Sequence, residues 1–271
     1  MLDPYWQYEI PLWSVVFLFL AILLIPMEAG FWLGLRKRRL HSDAEKLARG
    51  DVTLSAMLAL LGLMLAFTYS FSMSRADMRK QALITEVNAI STAFLRADLA
   101  REPSRTELRE LLLEYAQSRM VKPREIKDRK QLQDVVDRSL QIQSRLWPAT
   151  MSALQQKGEM RHPEMVLLVS ATNDVLDAHT SRMAVIYDRL PTAVLALLVV
   201  IAAASLAATA YHSSLQGQIY RWRMIGFAFI LAALMYLILD FDMIMRGFVR
   251  INYDSLESLI RQLEQSLRGS H

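Results

Sequence analysis

The residues best suited to chemistry in this chain are ionisable side chains set at the ends of long apolar runs. Glu28 lies in the last turns of the first run, between Pro26 and Gly30. An ionisable side chain at membrane depth costs about 3 kcal/mol or more and usually faces protein or water. Glu28 is therefore a candidate proton or ion site. The alternative is a glutamate near the cytoplasmic interface that is neutralised by Arg36 or Arg38 or points into the lipid headgroups.

Hydroxyl groups at the end of the second apolar run form another candidate set. The set consists of Thr68, Tyr69, Ser70 and Ser72. Small and hydroxylated residues within a span serve close helix packing or line a wet path. Because these four cover more than one helical face, pore lining and helix packing both stay open as interpretations.

Charged residues flank the ends of two runs. Arg75, Asp77 and Arg79 follow the second run, and Asp240, Asp242 and Arg246 end the fourth. Alternation of spans would put both sets at a similar depth, where ion pairs could form. The pattern predicts either a structural belt of ion pairs at the membrane rim or a charged vestibule that selects permeant ions.

Polar residues recur at helical spacing between the second and third runs. Glu86, Asn88, Thr92 and Arg96 belong to one predicted helix, and Asn173, Asp177 and Arg182 belong to another. We expect these two polar stripes to pair in a bundle core. The chain has no cysteine, its histidines lack metal spacing, and it contains no nucleotide-binding or hydrolase motif. We therefore expect no enzyme activity, no metal and no cofactor.

Four apolar stretches must position these residues: Leu12–Leu33, Val52–Met73, Leu190–Ala210 and Met224–Leu239. About 20 helical residues cross a bilayer core, and helix-forming residues dominate the composition. We predict an all-α integral membrane protein. Its parts are a transmembrane hairpin over 1–74 (spans about 12–33 and 52–73), an extramembrane helical bundle over 75–189, a second hairpin over 190–245 (spans about 190–210 and 224–243) and an amphipathic helix over 246–268. We interpret residues 269–271 as part of a tag.

Helix boundaries within the insert follow from proline and capping signals. The second span shows no break until about Leu99, and Ser104 with Glu107 fits a capping box that opens the next helix. A later helix should end at Trp147-Pro148. The tail places leucines on one face, which favours packing on the insert over lying on the membrane surface.

The basic residues predict orientation rather than nucleic-acid binding. The net charge is +4, and Arg36-Lys37-Arg38-Arg39 directly follows the first span. Lys and Arg in short loops mark the cytoplasmic side. We therefore expect a bacterial inner-membrane protein with its N-terminus, insert and C-terminus in the periplasm. No basic residue precedes the first span, so we expect a retained anchor rather than a cleaved signal peptide.

Several of these motifs together resemble the bacterial bestrophin-like family of four-span membrane proteins. The matching pieces are Glu28-Ala-Gly30-x-x-Leu33-Gly34, Gly62 through Ser70, Arg75-x-Asp77-x-Arg79, Glu86-Val-Asn88-Ala89-Ile90-x-Thr92-Ala93-x-Leu95-Arg96, Asn173-x-x-x-Asp177 with Arg182, Leu190-Pro191 and Asp240-x-Asp242 with Arg246-Gly247. One departure is Ile244, where the family pattern has a proline. The resemblance implies similarity to bestrophins, which are oligomeric anion channels with a hairpin–insert–hairpin layout.

Two functional hypotheses follow. The first is a homo-oligomeric ion channel in the lipid bilayer, with the second span contributing to the pore. The second is a non-conducting, membrane-anchored sensor or scaffold whose insert binds a partner. Bestrophins keep both termini and the insert in the cytoplasm, whereas the basic cluster at residues 36–39 predicts the opposite orientation, which we adopt.

Overall fold

Every regular element that the computed structural model describes is helical, as predicted. The described residues are 12–40, 52–120, 129–155, 162–217, 221–242 and 252–269. The α-helices within them are α1 (Leu12–Leu40), α2 (Val52–Arg96), α3 (Ser104–Ser118), α4 (Arg129–Gln155), α5 (His162–Tyr187), α6 (Thr192–Leu215), α7 (Arg221–Asp242) and α8 (Asp254–Arg268). A single 3-10 turn, Ala97–Leu99, extends α2.

Among the described residues, four helical stretches are long and apolar enough to cross a membrane, which agrees with the predicted number of spans. They are Ser14–Leu40, Val52–Leu99, Pro163–Leu215 and Arg221–Asp242. The third stretch joins α5 and α6 across Pro191, which lies just before α6 with ψ 127°. Proline lacks an N–H group and fixes its own φ, so it can open a helix without losing a backbone hydrogen bond.

The chain forms two compact units. The first, called the membrane unit, comprises Met1–Ser74 and Arg189–Met243, and the second, called the polar unit, comprises Arg75–Asp188 and Ile244–His271. Each unit has its own apolar core. Helix α2 runs through both units without interruption.

Two glycines allow α1 to pack closely on α6 in the membrane unit. A methyl group at Gly30 would collide with the backbone carbonyl of Ala207, and one at Gly34 would lie 2.6 Å from the carbonyl oxygen of Tyr211. Glycines four residues apart remove side-chain bulk from one helical stripe, so two backbones can approach. The main packing of α1 is therefore with α6 and α7, and the predicted pairing of spans into sequential hairpins stays a proposal.

The turn between α6 and α7 also depends on glycine. Gly217 has a φ of +75°, a backbone conformation that glycine adopts without steric cost. A side chain there would also collide with the guanidinium of Arg38. The basic residues Arg36–Arg39 belong to the end of α1 rather than to a loop.

The tail helix α8 packs against α3 in the polar unit, as predicted. Leu256, Leu259 and Leu263 are buried in the core of this unit. At its end, Arg109 of α3 donates a hydrogen bond to Ser266 at 2.6 Å, and Gln117 donates one to Glu264 at 3.0 Å.

The predicted helix end at Trp147-Pro148 is wrong. Helix α4 continues through Pro148 to Gln155. A proline inside a helix costs about 3 kcal/mol. Burial of Leu146, Ala149 and Ala153 on one face of α4 offsets that cost.

The predicted capping box at Ser104 is also wrong. Ser104 is the first helical residue of α3 and is buried, and it does not cap the helix. Instead, the carboxylate of Glu102 accepts hydrogen bonds from the backbone N–H of Thr106 at 3.2 Å and from its hydroxyl at 2.8 Å. Glu102, which precedes the helix, thus caps a backbone N–H group at its N-terminus in place of the predicted Ser104.

Candidate functional site

Helix α2 has two faces of opposite character along its whole length. Its 45 residues correspond to about 68 Å at the rise of an α-helix. One face is buried in both units and is here called the inner face: Leu61, Thr68, Ser72, Arg79, Leu83, Glu86 and Ile90. The other is exposed and is called the open face: Leu63, Phe67, Ser70, Ser74, Asp77, Gln81 and Asn88. Residues three and four apart share a helical face, so each set is one continuous stripe.

In the membrane unit, α2 is the least buried of the four spans. Within the protomer, 17% of its most apolar stretch is buried, compared with 44% for α7. The large side chains of Leu60, Leu63, Phe67 and Phe71 are all exposed. A span this open must contact lipid, other subunits or water.

The four hydroxyl residues of the second span divide between the two faces. Thr68 is buried and donates a hydrogen bond to the carbonyl of Met64 at 2.7 Å. Ser72 is buried, and its hydroxyl has no partner among the described residues. Tyr69 meets Phe241 edge-on, with ring centroids 5.7 Å apart. Only Ser70 of this set lies on the open face.

The open face changes from apolar to polar along the helix. Leu63 and Phe67 come first, then Ser70 and Ser74, and then amide and carboxylate side chains in the polar unit. An apolar ring can close a water-filled path by dewetting, whereas hydroxyl, amide and carboxylate groups hydrate or attract ions. The sequence of side chains on this face is therefore suited to a gated ion path.

The inner face of α2 carries a buried ion cluster centred on Glu86. One Glu86 oxygen accepts hydrogen bonds from Arg119 Nε at 2.9 Å and from the Tyr115 hydroxyl at 2.7 Å. The other oxygen accepts one from Arg182 Nη1. Both arginine side chains are buried. Breaking such a buried, hydrogen-bonded pair is costly because it strands the partner charge.

Further polar groups extend this cluster. His179 Nδ1 lies 3.0 Å from the Tyr115 hydroxyl oxygen. Because the hydroxyl proton is given to Glu86, a neutral His179 with a proton on Nδ1 completes the chain of hydrogen bonds. The Arg182 guanidinium lies 5.7 Å from the ring centre of Tyr253, within the range of a cation–π contact. The cluster thus links α2, α3, α5 and the residue that precedes α8.

Burial and neighbouring charges set the protonation of the cluster. Burial alone would raise the pKa of Glu86, but the guanidiniums of Arg119 and Arg182 and the Tyr115 hydrogen bond lower it below 4.5. Burial and then the charge of Arg119 lower the pKa of His179 to about 4. At neutral pH the carboxylate is therefore charged and the imidazole is neutral. Because both oxygens of Glu86 accept hydrogen bonds from other segments, the cluster fixes the position of α2 in the polar unit.

The predicted pairing of polar stripes in the insert occurs in part. Glu86 and Arg182 meet, as described. Arg96 instead donates to the carbonyl oxygen of Leu167 at 3.1 Å. Asn173 donates to Asp177 within α5 at 2.9 Å, and both side chains are exposed. Asn88 is exposed on the open face of α2, and Thr92 is half-buried.

Sequence reasoning missed four members of the cluster, namely Tyr115, Arg119, His179 and Tyr253. Tyr115 and Arg119 lie four residues apart and therefore share one face of the α3 segment. Tyr115 also lies on the apolar stripe with Leu108, Leu111 and Leu112. A tyrosine on such a stripe needs a hydrogen-bond partner when it is buried, and this was the available signal.

Two of the charged residues predicted at the membrane rim, Arg75 and Asp242, have partners within their own units. Arg75 pairs with Asp188 at 3.2 Å. Asp242 accepts a hydrogen bond from the backbone N–H of Leu190 at 3.1 Å. Arg79 and Asp240 are buried, and Asp77 is exposed. Arg246 lies outside the described residues, and the belt as a whole stays a prediction.

Glu28 pairs with Arg221 of α7 at 3.2 Å. The expectation that Arg36 or Arg38 neutralises it is therefore wrong, because α1 packs against the start of α7 and brings Arg221 closer. Arg36 lies instead over the ring of Trp32, 5.6 Å from its centre. Among the described residues, no group of three histidine or carboxylate side chains could hold a metal ion.

Four apolar spans, with the second running on into a polar helical unit, define a helical membrane protein. The chain matches the Bestrophin-like domain over residues 14–256. It therefore belongs to the Bestrophin-like family, as its motifs predicted.

Solved structures support the same fold. Two variants of a bacterial bestrophin homologue from Klebsiella pneumoniae each align with a TM-score of 0.62, at 12% and 11% sequence identity. Each alignment covers 90% of this chain and 97% of the homologue. A structure described as a membrane protein aligns at 0.61 with 12% identity and the same coverage. At such identity the likeness concerns the fold. No curated protein matches the chain.

Proposed function

We propose that this protein is a homo-oligomeric ion channel in which the open face of α2 lines the ion path. The observation that carries the proposal is the exposure of α2, of which only 17% is buried in its apolar stretch. Membership of the Bestrophin-like family supports it, since bestrophins are oligomeric channels.

The chemistry of the open face favours water and neighbouring subunits over lipid as its surroundings. Ser70 and Ser74 are exposed on the same stripe as Leu63 and Phe67. Hydroxyl groups facing hydrocarbon would lose hydrogen bonds to water, whereas at a symmetry axis several copies could share a hydrated path. A ring of Phe67 side chains would form the apolar constriction.

The remaining candidate residues have supporting roles in this proposal. Thr68, Tyr69 and Ser72 would hold α2 against the rest of its own subunit from behind the path. Arg75, Asp77, Arg79, Asp240, Asp242 and Arg246 would shape the charge at the mouth. Glu86 and its partners would fix the angle of the polar end of α2. Glu28, paired with Arg221, would stabilise the other end of the membrane unit.

Ion flux into liposomes tests this function. The wild-type protein, with its oligomers verified, should conduct above empty liposomes. Phe67→Ala should raise the flux several-fold, because removal of a large apolar ring lowers the barrier to wetting. Phe229→Ala on α7 is the matched control, since Phe67 and Phe229 are 56% and 59% exposed in the protomer. An absence of flux from intact oligomers, or an equal effect of both variants, would refute the proposal.

The same proposal includes an orientation with the polar unit in the periplasm of a bacterial inner membrane. The chain has no cysteine, so a single introduced thiol reports its location without background. Arg138→Cys, at an exposed position of α4, should react with a membrane-impermeant maleimide in intact spheroplasts. Labelling only after lysis would show that the polar unit is cytoplasmic.

A non-conducting sensor or scaffold is the second candidate. Leu95, Val166 and Leu167 are exposed apolar residues of the polar unit, and the Arg96–Leu167 hydrogen bond holds their segments together. Exposed apolar patches are typical of protein interaction sites. Intact oligomers without flux would favour this function.

A further inference from the structure

An exposed stripe on α1 combines an apolar length with a basic end. Leu18, Ile25 and Trp32 are spaced seven residues apart, lie on one helical face and are all exposed. Arg36 and Arg39 continue this face at the end of the helix, and both are exposed. This α1 stripe belongs to a different helix from the open face of α2, so the proposed ion path does not account for it.

Aromatic rings hold two guanidiniums at the basic end. Arg36 lies 5.6 Å from the ring centre of Trp32, and Arg221 lies 4.7 Å from that of Phe31. Phe31 and Trp32 are adjacent in the chain, so both guanidiniums sit at the same level of the membrane unit. Trp222, next to Arg221, is 86% exposed. Exposed tryptophan beside arginine is typical of the membrane–water interface.

Positive charge exceeds negative charge around this end. Within the described residues 28–40 and 221–223 there are six Lys or Arg residues and one carboxylate. That carboxylate, Glu28, already pairs with Arg221. A surface of this charge, placed above an exposed apolar stripe, is complementary to a molecule with an anionic head and a hydrocarbon tail.

We propose that the α1 stripe binds an anionic phospholipid. The headgroup phosphate accepts hydrogen bonds from Arg36 and Arg39, with Arg221 beside them, and an acyl chain lies along Leu18, Ile25 and Trp32. Arginine suits this task because its planar guanidinium binds phosphate in a bidentate manner. The proposal is independent of conduction, because lipid retention is measured on purified protein without any flux.

Native mass spectrometry of detergent-solubilised protein tests the site. Phosphatidylglycerol should be retained in preference to phosphatidylcholine. The double variant Arg36→Gln/Arg39→Gln should bind phosphatidylglycerol about 30-fold more weakly, as expected for the loss of two cations near a lipid headgroup. Arg101→Gln/Arg138→Gln removes the same charge from exposed positions of the polar unit and should bind as the wild type does.

Two further arms keep the result decisive. Arg36→Lys/Arg39→Lys keeps the charge, and therefore the predicted orientation of α1, but loses the bidentate geometry. Its affinity should fall between those of the wild type and the glutamine variant. Inorganic phosphate should not displace the lipid, because it lacks an acyl chain. Equal retention by the glutamine variant and its control, equal retention of phosphatidylcholine, or displacement by phosphate would each overturn the proposal.

Discussion

At the scale of single residues, the buried carboxylate of Glu86 organises the polar unit. It bonds to Arg182 of α5, to the Tyr115 hydroxyl of α3 and to Arg119 directly after α3. A charge taken out of water is stable only when its partners replace the lost hydration. The cluster therefore depends on all its members together. Glu86 is the one carboxylate that pairs with Arg119 and Arg182 in the part of the chain that the structure describes, so its removal strands these two buried guanidiniums.

Glu86→Gln should destabilise the polar unit by about 3–5 kcal/mol, the usual cost of breaking a buried ion pair. The midpoint of unfolding, followed by far-UV circular dichroism in detergent, measures the effect. Glu110→Gln, at an exposed position of α3, is the control and should change the midpoint little. Equal midpoints for the two variants would show that the cluster does not support the fold.

His179 should make stability fall as the pH drops through weakly acidic values. Its pKa is lowered from 6.5 to about 4 by burial and by Arg119. Between these pH values the unfolded chain binds a proton that the folded unit excludes, so folding stability decreases by at most about 1.4 kcal/mol per pH unit. Above pH 6.5 this residue contributes no pH dependence.

The pKa of Glu86 is lowered, so its contribution acts in the same direction but at lower pH. The stability contributed by Glu86 is fully present above about pH 4.5, the pKa of an unperturbed glutamate, and is lost as the pH falls through the lower pKa of Glu86 in the folded protein. In His179→Gln the unfolding midpoint should therefore depend little on pH between pH 6.5 and 4. The loss of stability below pH 4, which is due to Glu86, should remain. An unchanged profile in this variant would contradict the assignment of the upper window to His179.

The sequence predicted only part of this cluster. Glu86 and Arg182 stood out because an ionisable residue on a predicted core stripe needs a partner. Arg119 and His179 did not, since nothing in the spacing of separate helices shows which side chains meet. Their proximity depends on how α2, α3 and α5 pack, which a residue pattern within one helix does not encode.

At the scale of elements, the close contact between α1 and α6 holds the membrane unit together. Gly30 and Gly34 leave no room for a side chain against α6. Apolar side chains gain little from leaving lipid for another helix, so packing of this kind supplies much of the association energy within a membrane.

Gly30→Ala should lower the thermal midpoint of the detergent-solubilised protein markedly, because its methyl group would meet the backbone of Ala207. Backbone atoms cannot rotate away, so α1 and α6 must separate. Gly226→Ala is the matched control on α7, where an added methyl group meets no atom within 4 Å. A midpoint for Gly30→Ala as high as that of Gly226→Ala would rule out close packing here.

The sequence predicted helix boundaries that depend on local residues such as proline. It did not predict boundaries that depend on packing against other helices. The uninterrupted course of α2 followed from its lack of proline, and the break before α6 followed from Pro191. The continuation of α4 past Pro148 did not, because burial of its far end outweighs the local cost of proline. The cap of α3 by Glu102 was missed because a glutamate outside a helix is a weak capping signal.

At the scale of the whole molecule, each unit is built for its own solvent. The four spans were predictable because hydrocarbon demands long apolar helices. The two faces of α2 were not, since its mid-span residues are apolar all round and their periodicity carries little information. The open and inner faces are distinguished only by which α2 side chains are buried by other parts of the chain.

The central claim is that the open face of α2 lines an ion path, and thiol modification during liposome flux tests it most directly. The chain has no cysteine, so three single variants suffice. A charged methanethiosulfonate reagent should change the flux of Ser70→Cys, on the open face. It should leave unchanged both Ser72→Cys, on the inner face, and Val200→Cys, an exposed position of α6 expected to face lipid. A normal flux in modified Ser70→Cys, or an equal change in Val200→Cys, would contradict the account.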